Sequence, residues 1–410
     1  MKFSVLLPTR NRLEYLKYAI ASVINQEYDN WEIIVSDNNS DDDNEGYIRF
    51  LNDSRIKYFR MHSVCSVTEN WNNALEQSTG EYIVMLGDDD CLLKGYFKTS
   101  LDLLQKHQYP EMVYTSALNY VYPGVMPNSL QGNLMHLVYA SFLAEKQQPF
   151  LLDKQEALSA VNELFNFNVA VNFNMQHSLV SRSLINEMQK YGKFYQSPYP
   201  DYYATTLLLI KAQRILVVPF PMVVIGVTPK SFGYYYINNK EKQGVEFLNN
   251  NLDYSICNEL SKRIIDGTNM NISWLVAMET IKQNLCKELP LKVNYRKFRF
   301  LQVLQQCNQF ACREGLNLPD MLKLTKKLLF WEKIAYLIPF VIAAIIRWHP
   351  KKAYRKSWAA DMSYAFSHPS HGAPKKIQGQ YNNIMDVFQQ IPINPQETTI
   401  DASSSDVIPS

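Results

Sequence analysis

The sequence contains little cysteine, and no two cysteines have the CxxC spacing that zinc sites and redox motifs use. Only six cysteines are scattered along 410 residues. This pattern argues against a zinc site and a disulfide-dense secreted scaffold, and it favours a reducing, cytoplasmic compartment. Net charge is also nearly absent, because 41 lysines and arginines face 39 acidic residues. We therefore expect no general attraction to nucleic acid, and any basic surface must be local.

Long hydrophobic runs are missing as well. The apolar stretch 3–7 is soon followed by two arginines, so we expect a buried first strand rather than a signal peptide. The uncharged stretch 334–346 has 13 residues, fewer than the roughly 20 of a transmembrane helix. Trp331 and Trp348 flank it and basic residues follow. This pattern is typical of a helix lying in the plane of an anionic membrane, with a buried helix as the equally weighted alternative.

Hydrophobic residues make up 47% of the chain and charged residues 20%, as in ordinary globular proteins. In the first hundred residues, short apolar runs alternate with stretches of helical periodicity. The predicted strands are 3–8, 31–36, 56–59 and 82–86. A helix is predicted at 11–26, and a second begins at a capping box of Ser66 and Glu69 and stops at Gly80. The alternation predicts an α/β fold with a mostly parallel sheet flanked by helices.

Polar clusters follow three of these strands. They are Thr9-Arg10-Asn11, Asp37-Asn38-Asn39-Ser40 and Asp88-Asp89-Asp90. Because ligands bind at the carboxyl ends of parallel strands, we expect the three clusters to meet at one edge of the sheet. The three adjacent carboxylates repel one another unless a cation lies among them, and Mg²⁺ or Mn²⁺ fits oxygen ligands. The alternative for the acidic run is a solvated turn that caps the next helix.

Three further polar groups allow two interpretations each. The Asp37 loop is suited to a ribose or a base edge, but its residues are also good turn formers. Asn72 lies among asparagines that are unusual inside a helix, which indicates either a polar face toward a cleft or solvent exposure. Asp201 follows a proline at the start of a predicted helix, where it serves either as an N-cap or as a general base.

Taken together, these segments resemble glycosyltransferase family 2 enzymes of the GT-A fold. The resemblance rests on the segments 5–12, 34–40 and 80–90, and a weaker likeness continues from 192 to Asp201. It implies that Pro8, Thr9, Arg10 and Asn11 line a nucleotide pocket together with Asp37, Asn38 and Asn72. It further implies that Asp88, Asp89 and Asp90 contact the nucleotide sugar, with Asp88 and Asp90 as ligands of Mn²⁺ or Mg²⁺. Asp201 matches the carboxylate that deprotonates the acceptor hydroxyl.

The resemblance in the N-terminal part, together with periodicity and composition in the C-terminal part, predicts the domain organisation. Residues 1–117 form the nucleotide-sugar-binding half of a GT-A domain, and residues 118–237 form its acceptor-side half. Residues 238–348 form a helical C-terminal region that includes the membrane candidate, and we expect the membrane contact at 328–356. Residues 349–410 form a basic segment and a tail. Because Ser, Pro, Gln and Asn dominate from about residue 357, we expect the tail to be disordered.

The function predicted from the sequence is inverting, metal-assisted sugar transfer from a nucleotide-diphosphate donor, a UDP-sugar, to a saccharide or lipid-linked acceptor. Surface polysaccharide or glycolipid synthesis is the expected context, in the cytoplasm or on the inner face of its membrane. Two alternatives remain. A nucleotidyltransferase would use a similar sheet but needs a basic, glycine-rich loop, which 8–12 is not. A non-catalytic nucleotide- or membrane-binding scaffold would explain the C-terminal helices but not the polar strand ends.

Overall fold

The computed structural model describes residues 1–125, 131–136, 140–143, 146–231, 234–235, 260, 264–265, 267–314, 316–367 and 375–393. These residues fall into two compact units. Unit 1 holds the described residues within Met1–Val161, Val171–Asn251 and His371–Ile400, and unit 2 holds those within Asn162–Ala170 and Leu252–Ser370. The chain therefore leaves unit 1 for unit 2 and later returns to it.

The described secondary structure alternates in the N-terminal part and is helical in the C-terminal part. The strands are β1 (Phe3–Thr9), β2 (Trp31–Asp37), β3 (Ile56–Arg60), β4 (Tyr82–Met85), β5 (Cys91–Leu92), β6 (Met112–Val121), β7 (Asn133–His136), β8 (Phe150–Leu151), β9 (Ser178–Ser181), β10 (Ile215–Val227) and β11 (Lys375–Ile377). The helices are α1 (Leu13–Ile24), α2 (Asn44–Leu51), α3 (Val67–Glu76), α4 (Tyr96–Lys106), α5 (Lys154–Phe165), α6 (Arg182–Met188), α7 (Pro200–Lys211), α8 (Asn269–Asn284), α9 (Tyr295–Cys312), α10 (Leu318–Lys327), α11 (Phe330–Ala335), α12 (Leu337–Trp348), α13 (Lys352–Ser367) and α14 (Ile384–Gln390).

Unit 1 is built on one mixed sheet. Its parallel part has the order β3-β2-β1-β4, and β9 runs antiparallel between β4 and β6. β10 then lies parallel to β6. The apolar residues of β1 and β2 are almost completely buried. Because both faces of these strands are covered, their sequences are nearly continuous apolar runs. The predicted α/β class, with a parallel central sheet and a helical C-terminal region, is confirmed.

The predicted capping box is confirmed, but the predicted helix stop is wrong. Ser66 accepts a hydrogen bond from the Glu69 amide and Glu69 accepts one from the Ser66 amide at the start of α3. The helix ends at Glu76 with Gln77 as its C-cap, before Gly80 is reached. Gly80 instead lies against β1, where a Cβ would be 2.6 Å from the Ser4 backbone nitrogen. Close backbone approach explains this glycine.

The apolar segments 215–218 and 223–227, which prolines separate in the sequence, lie in a single strand. β10 runs through both segments and pairs with β6 along its length. The register shifts on either side of Pro221, because a proline has no N–H to donate to the ladder. The prolines therefore interrupt the sequence pattern without ending the strand, and a β-bulge absorbs the irregularity.

The expectation of a disordered tail is wrong for residues 357–367, which belong to α13, and for residues 375–393. Strand β11 pairs antiparallel with β7, with Ile377 opposite Leu134. The following segment contributes buried apolar side chains to the unit 1 core, and these are Ile377, Tyr381, Ile384, Val387 and Phe388. The Tyr120 hydroxyl also donates to the Tyr381 carbonyl at 3.0 Å. These few apolar residues lie among polar ones, so composition alone does not reveal the segment.

Unit 2 packs its helices around a core that includes Val303 and Cys307 of α9. A buried ion pair joins Arg299 to Glu332, with Nε–Oε1 and Nη2–Oε2 distances of 2.6 and 2.7 Å. The segment predicted as one apolar helix is divided between α11 and α12. Among the described helices, none is both long enough and apolar enough to cross a membrane.

Candidate functional site

The three polar clusters do meet at one edge of the parallel sheet. β1 pairs in parallel with both β2 and β4, and Thr9 lies opposite Asp37 at the carboxyl ends of β1 and β2. The Asn38 amide continues this pairing by donating to the Thr9 carbonyl at 2.9 Å. Asp88 follows the end of β4 and accepts a 2.8 Å hydrogen bond from the Thr9 hydroxyl. The topology thus produces the predicted juxtaposition.

Asp88 is buried and paired with Arg12, which itself is only 7% exposed. The Arg12 Nη1 lies 2.8 Å from Asp88 Oδ1 and 3.4 Å from Asp89 Oδ2. Burial raises the pKa of Asp88, although Arg12 acts in the opposite direction. Burial alone would lower the pKa of Arg12, but the surrounding carboxylates raise it above its ordinary value. The buried guanidinium therefore stays protonated and fixes the orientation of the Asp88 carboxylate.

Asp90 is surrounded by N–H donors. The Gly87 amide and the Gln176 side chain donate to Oδ2 at 2.8 and 2.6 Å, and the Gly226 amide donates to Oδ1 at 2.8 Å. Burial, followed by the neighbouring charge of Asp89, raises the pKa of Asp90 to about 7. Gln176 belongs to a 3₁₀ turn, Met175–His177, that precedes β9. Asp90 therefore connects the acidic run to two distant segments of unit 1.

Asp89 faces hydroxyl groups of the loop that follows β10. The Ser231 and Thr228 hydroxyls donate to its Oδ2, the latter at 3.4 Å. The loop approaches so closely that a Cβ on Gly226 would lie 1.8 Å from the Asp89 carbonyl oxygen. Arg12 also donates to the Lys230 carbonyl of this loop. The segment 226–231, at the end of β10 and directly after it, therefore forms one wall of the acidic cluster.

The loops after β1 and β2 are connected by hydrogen bonds. Asn11 has a left-handed φ of 53°, which asparagine adopts more readily than most residues. Its side chain donates to Asp41 Oδ2 and accepts from the Asp41 amide. Asp37 is fully buried and accepts from the Ser40 amide. Additional donors to Asp37 are the Asn44 side chain and the Tyr58 hydroxyl.

Asn38 and Asn72 both bind backbone atoms. The Asn38 side chain donates to the Cys65 carbonyl at 2.9 Å and accepts from the Cys65 amide at 2.8 Å. Asn72 forms the same pair of hydrogen bonds with Tyr195, at 2.9 and 3.2 Å. Both asparagines are buried, so the solvent-exposed interpretation of Asn72 is wrong. In this conformation each amide holds a neighbouring segment in place.

Asp201 lies in the first turn of α7 but does not cap it. Tyr199 is the N-cap residue, and α7 has no side-chain cap. Asp201 Oδ1 accepts from the Tyr202 amide at 3.1 Å. Burial raises the pKa of Asp201 to about 7, although the side chain remains partly exposed. Thr205 of the same helix contacts Met175, next to Gln176, through a 3.4 Å Oγ1–Sδ hydrogen bond, so α7 packs on the turn that holds Asp90.

A Mg²⁺ or Mn²⁺ ion must find its ligands in this cluster if the resemblance holds. In the part of the chain that the structure describes, no group of three or more His, Cys, Asp or Glu residues is arranged to hold a metal. Asp90 is enclosed by N–H donors and Asp88 is paired with Arg12. Asp89 also lies near Arg12, but at the longer distance of 3.4 Å. The hydrogen bonds described for its carboxylate come from two hydroxyls to Oδ2. Asp89 is therefore the carboxylate of the run that best suits these ions, with substrate phosphates and water completing the oxygen ligands.

The structure adds contacts that the sequence did not reveal. Arg12 stands in the predicted motif, but its partner Asp88 lies 76 residues away. Gln176 contacts Asp90 across 86 residues, and nothing in its local sequence distinguishes it from an ordinary polar residue before a strand. The hydroxyls of Thr228 and Ser231 lie in the loop after β10 and contact Asp89, which is about 140 residues earlier in the chain.

The comparisons with known proteins agree with the resemblance found in the sequence. Residues 4–131 match the model of Glycosyl transferase family 2. Through this region the chain is similar to glycosyltransferase family 2.

The relatives match only part of their own length. A GalNAc(5)-diNAcBac-PP-undecaprenol beta-1,3-glucosyltransferase of Campylobacter jejuni is 44% identical over 108 residues, 26% of this chain and 34% of the relative. The UDP-Glc:alpha-D-GlcNAc-diphosphoundecaprenol beta-1,3-glucosyltransferase WfgD of Escherichia coli is 28% identical over 104 residues, 25% of this chain and 41% of the relative. Among solved structures, S. aureus TarS 1-349 in complex with UDP-GlcNAc is 17% identical, with a TM-score of 0.39 and coverage of 69% of this chain and 81% of that chain.

Proposed function

We propose that the chain is an inverting glycosyltransferase that moves a sugar from a UDP-sugar donor to a hydroxyl group of a lipid-linked saccharide. The observation that carries the proposal is the buried acidic run at the carboxyl end of β4, held by Thr9 and Arg12. The names of the two relatives, which describe glucosyl transfer involving undecaprenol-linked sugars, support this acceptor class. Surface polysaccharide or glycolipid synthesis would be the setting.

The donor nucleotide would lie across the ends of β1, β2 and β4. We assign Asp88 to the ribose, because Thr9 and Arg12 already fix its carboxylate and each oxygen retains a second lone pair. Pro8, Arg10 and Asn11 would line the pocket, with Asp37 and Asn38 beneath the base. Because Asp37 and Asn38 are already hydrogen-bonded within the protein, their contribution is to fix the shape of this loop. Asn72 holds the Tyr195 segment at the acceptor side.

We assign the metal to Asp89 rather than to Asp88 and Asp90, the pair that the sequence favoured. The N–H groups around Asp90 present positive dipole ends to its carboxylate, and they compete with a cation for the same lone pairs. When bound, Mn²⁺ or Mg²⁺ neutralises negative charge on the departing diphosphate. Arg12 adds a permanent positive charge on the same side of the cluster.

Asp201 would act as the general base. Its Oδ2 would accept the proton of the acceptor hydroxyl while that oxygen forms a bond to the anomeric carbon. The bond between the anomeric carbon and the diphosphate oxygen breaks in the same displacement, and the nucleoside diphosphate leaves with the bonding electrons. A single displacement inverts the anomeric configuration. A pKa of about 7 suits this role, because a general base works best when its pKa lies near the operating pH.

The test measures donor binding and transfer separately. UDP-sugars and Mn²⁺ are combined with undecaprenol-diphosphate-linked saccharides, and UDP release and the product mass are followed. Asp201→Asn should lower the transfer rate about 10²–10⁴-fold with donor affinity unchanged, whereas Asp89→Asn should weaken Mn²⁺-dependent donor binding. Asp102→Asn, an exposed carboxylate change on α4, is the matched control. Pyrophosphate as the product would indicate a nucleotidyltransferase, and nucleotide binding without turnover of any donor would indicate a scaffold.

A further inference from the structure

The helices α10 to α12 of unit 2 and the residues that join them expose a group of large apolar side chains close together in the sequence. Each of these side chains is at least half exposed, and Trp331 and Trp348 reach 75% and 81%. We call this set the α10–α12 apolar face, and its members are Leu318, Leu322, Leu329, Phe330, Trp331, Ile334, Leu337, Ile338, Val341, Ile345 and Trp348. Apolar patches of this kind on a folded protein mark an interaction surface.

Helix α12 shows that the exposure is a property of one face rather than of a poorly packed helix. Its inner side packs against the unit 2 core through Ala343, Phe340 and Ile346. Its outer side presents Ile338, Val341, Ile345 and Trp348 at helical spacing. Arg347, the one charged residue of α12, donates to the Phe310 carbonyl and stacks on that ring. The outer side of α12 therefore carries no charged side chain, and its polar side-chain group is the indole N–H of Trp348.

Basic residues border this face. Between residues 318 and 356 the sequence has nine lysines and arginines and two acidic residues, in a chain whose net charge is only +2. One of the two acids, Glu332, is buried against Arg299, so it contributes little negative potential at the surface. Exposed lysines at 326, 333, 351 and 352 remain. The complementary partner is an anionic surface that also accepts aliphatic and indole side chains.

A cleft of about 870 Å³ continues from the apolar face. Leu329 and Trp331 of that face line it, together with Phe300 and the exposed Arg296 of α9. Apolar walls beside an exposed guanidinium suit an acyl chain that ends in a phosphate group. The cleft thus combines apolar and basic groups, as the α10–α12 apolar face and its border do.

We propose that the α10–α12 apolar face docks unit 2 onto an anionic phospholipid bilayer, lying in the plane of the interface. α12 has 12 residues, too few to span the hydrocarbon layer at about 1.5 Å per residue. An in-plane helix instead buries one apolar side between head groups and acyl chains, while lysines contact anionic lipids. Of the two interpretations of the segment 334–346, the proposal takes the helix in the plane of a membrane surface.

The experiment is co-sedimentation of the full chain with vesicles of phosphatidylcholine containing 30% phosphatidylglycerol, and with vesicles of phosphatidylcholine alone. The triple variant Trp331→Ser, Ile338→Ser, Ile345→Ser should bind the anionic vesicles about a hundredfold less tightly, because each lost side chain is worth about tenfold or less at an interface. Phe50→Ser is the matched control, since Phe50 is 83% exposed on α2 of unit 1, and it should bind like the wild type.

A second variant tests the charge. Lys326→Gln, Lys333→Gln and Lys352→Gln should together lower binding to the anionic vesicles by about a hundredfold, roughly fivefold per lysine, and should leave weak binding to neutral vesicles unchanged. The proposal is overturned if the wild type does not sediment with anionic vesicles. It is also overturned if the triple serine variant binds the anionic vesicles as tightly as the wild type does. A third contradicting result is that the serine changes only abolish a dimer. Because binding is measured without donor or acceptor, failure here is distinct from failure of the transferase proposal.

Discussion

Asp201→Asn should stabilise the protein at neutral pH while abolishing most transfer. Burial raises the pKa of Asp201 from its ordinary 3.8 to about 7, so ionising this carboxyl group in the folded protein costs free energy. A pKa difference of this size corresponds to a few kcal/mol, and partial contact with solvent reduces it to about 1–3 kcal/mol. Asparagine has nearly the same shape and no charge, so the variant avoids this cost.

The sign of the pH dependence follows from proton binding. Between about pH 4 and pH 7 the folded protein keeps the Asp201 proton that the unfolded chain has lost, so this residue's contribution to stability falls as pH rises through that window. We therefore expect Asp201→Asn and the wild type to have equal free energies of unfolding near pH 4. At pH 8 the variant should be more stable by about 1–3 kcal/mol. The measurement is urea unfolding at both pH values.

The wild-type transfer rate provides an independent check. It should fall about tenfold for each pH unit below 7, because only ionised Asp201 accepts a proton. Asp102→Asn should leave both the unfolding curves and this acid limb unchanged. If Asp201→Asn is instead less stable at pH 8, Asp201 stabilises the N-terminus of α7 through the helix dipole. That result would refute the assignment of Asp201 as a general base whose ionisation in the folded protein costs free energy.

Three further substitutions test the fold by urea unfolding. Glu32 accepts hydrogen bonds from Lys2 and Lys57 at 2.8 Å in a buried position. Glu32→Gln should therefore lower the free energy of unfolding by about 3–5 kcal/mol at pH 7. Burial opposes ionisation, but these partners hold the pKa of Glu32 well below its usual range. The difference between variant and wild type should therefore begin to shrink as pH falls below about 4.5 and should vanish only when pH reaches the depressed pKa of the folded state. Gly80→Ala should lower the free energy of unfolding by about 1–3 kcal/mol, because the added methyl group meets the β1 backbone. An unchanged urea midpoint would mean that β1 shifts enough to accommodate the methyl group. Ser66→Ala should cost about 1 kcal/mol through loss of the capping box, and no loss would show that water replaces the cap.

Local patterns predicted the elements that local forces determine. The apolar run of β1, the helical spacing of α1 and the capping box of Ser66 and Glu69 each operate within a few residues. The meeting of Thr9 with Asp88 was also predictable, because parallel strands bring their carboxyl ends to one edge. Sequence reasoning thus predicted the location of the candidate site.

The remaining features depend on partners distant in the chain. Whether Asp90 meets a cation or N–H donors is decided by Gln176 and Gly226, which lie 86 and 136 residues away. Asp201 looked like an N-cap because Pro200 precedes it, but Tyr199 takes that position. In each case the local pattern was compatible with two environments, and only the packed fold selects one of them.

The return of the chain to unit 1 through β11 has a consequence for biosynthesis. Strand β7 contains residues 133–136, yet its β11 partner at 375–377 leaves the ribosome more than two hundred residues later. Throughout that interval the backbone groups of β7 on that side lack their strand partner, and such an edge invites pairing with another nascent chain. Protein quality control during translation, rather than final stability, would then set how much of this enzyme a cell accumulates.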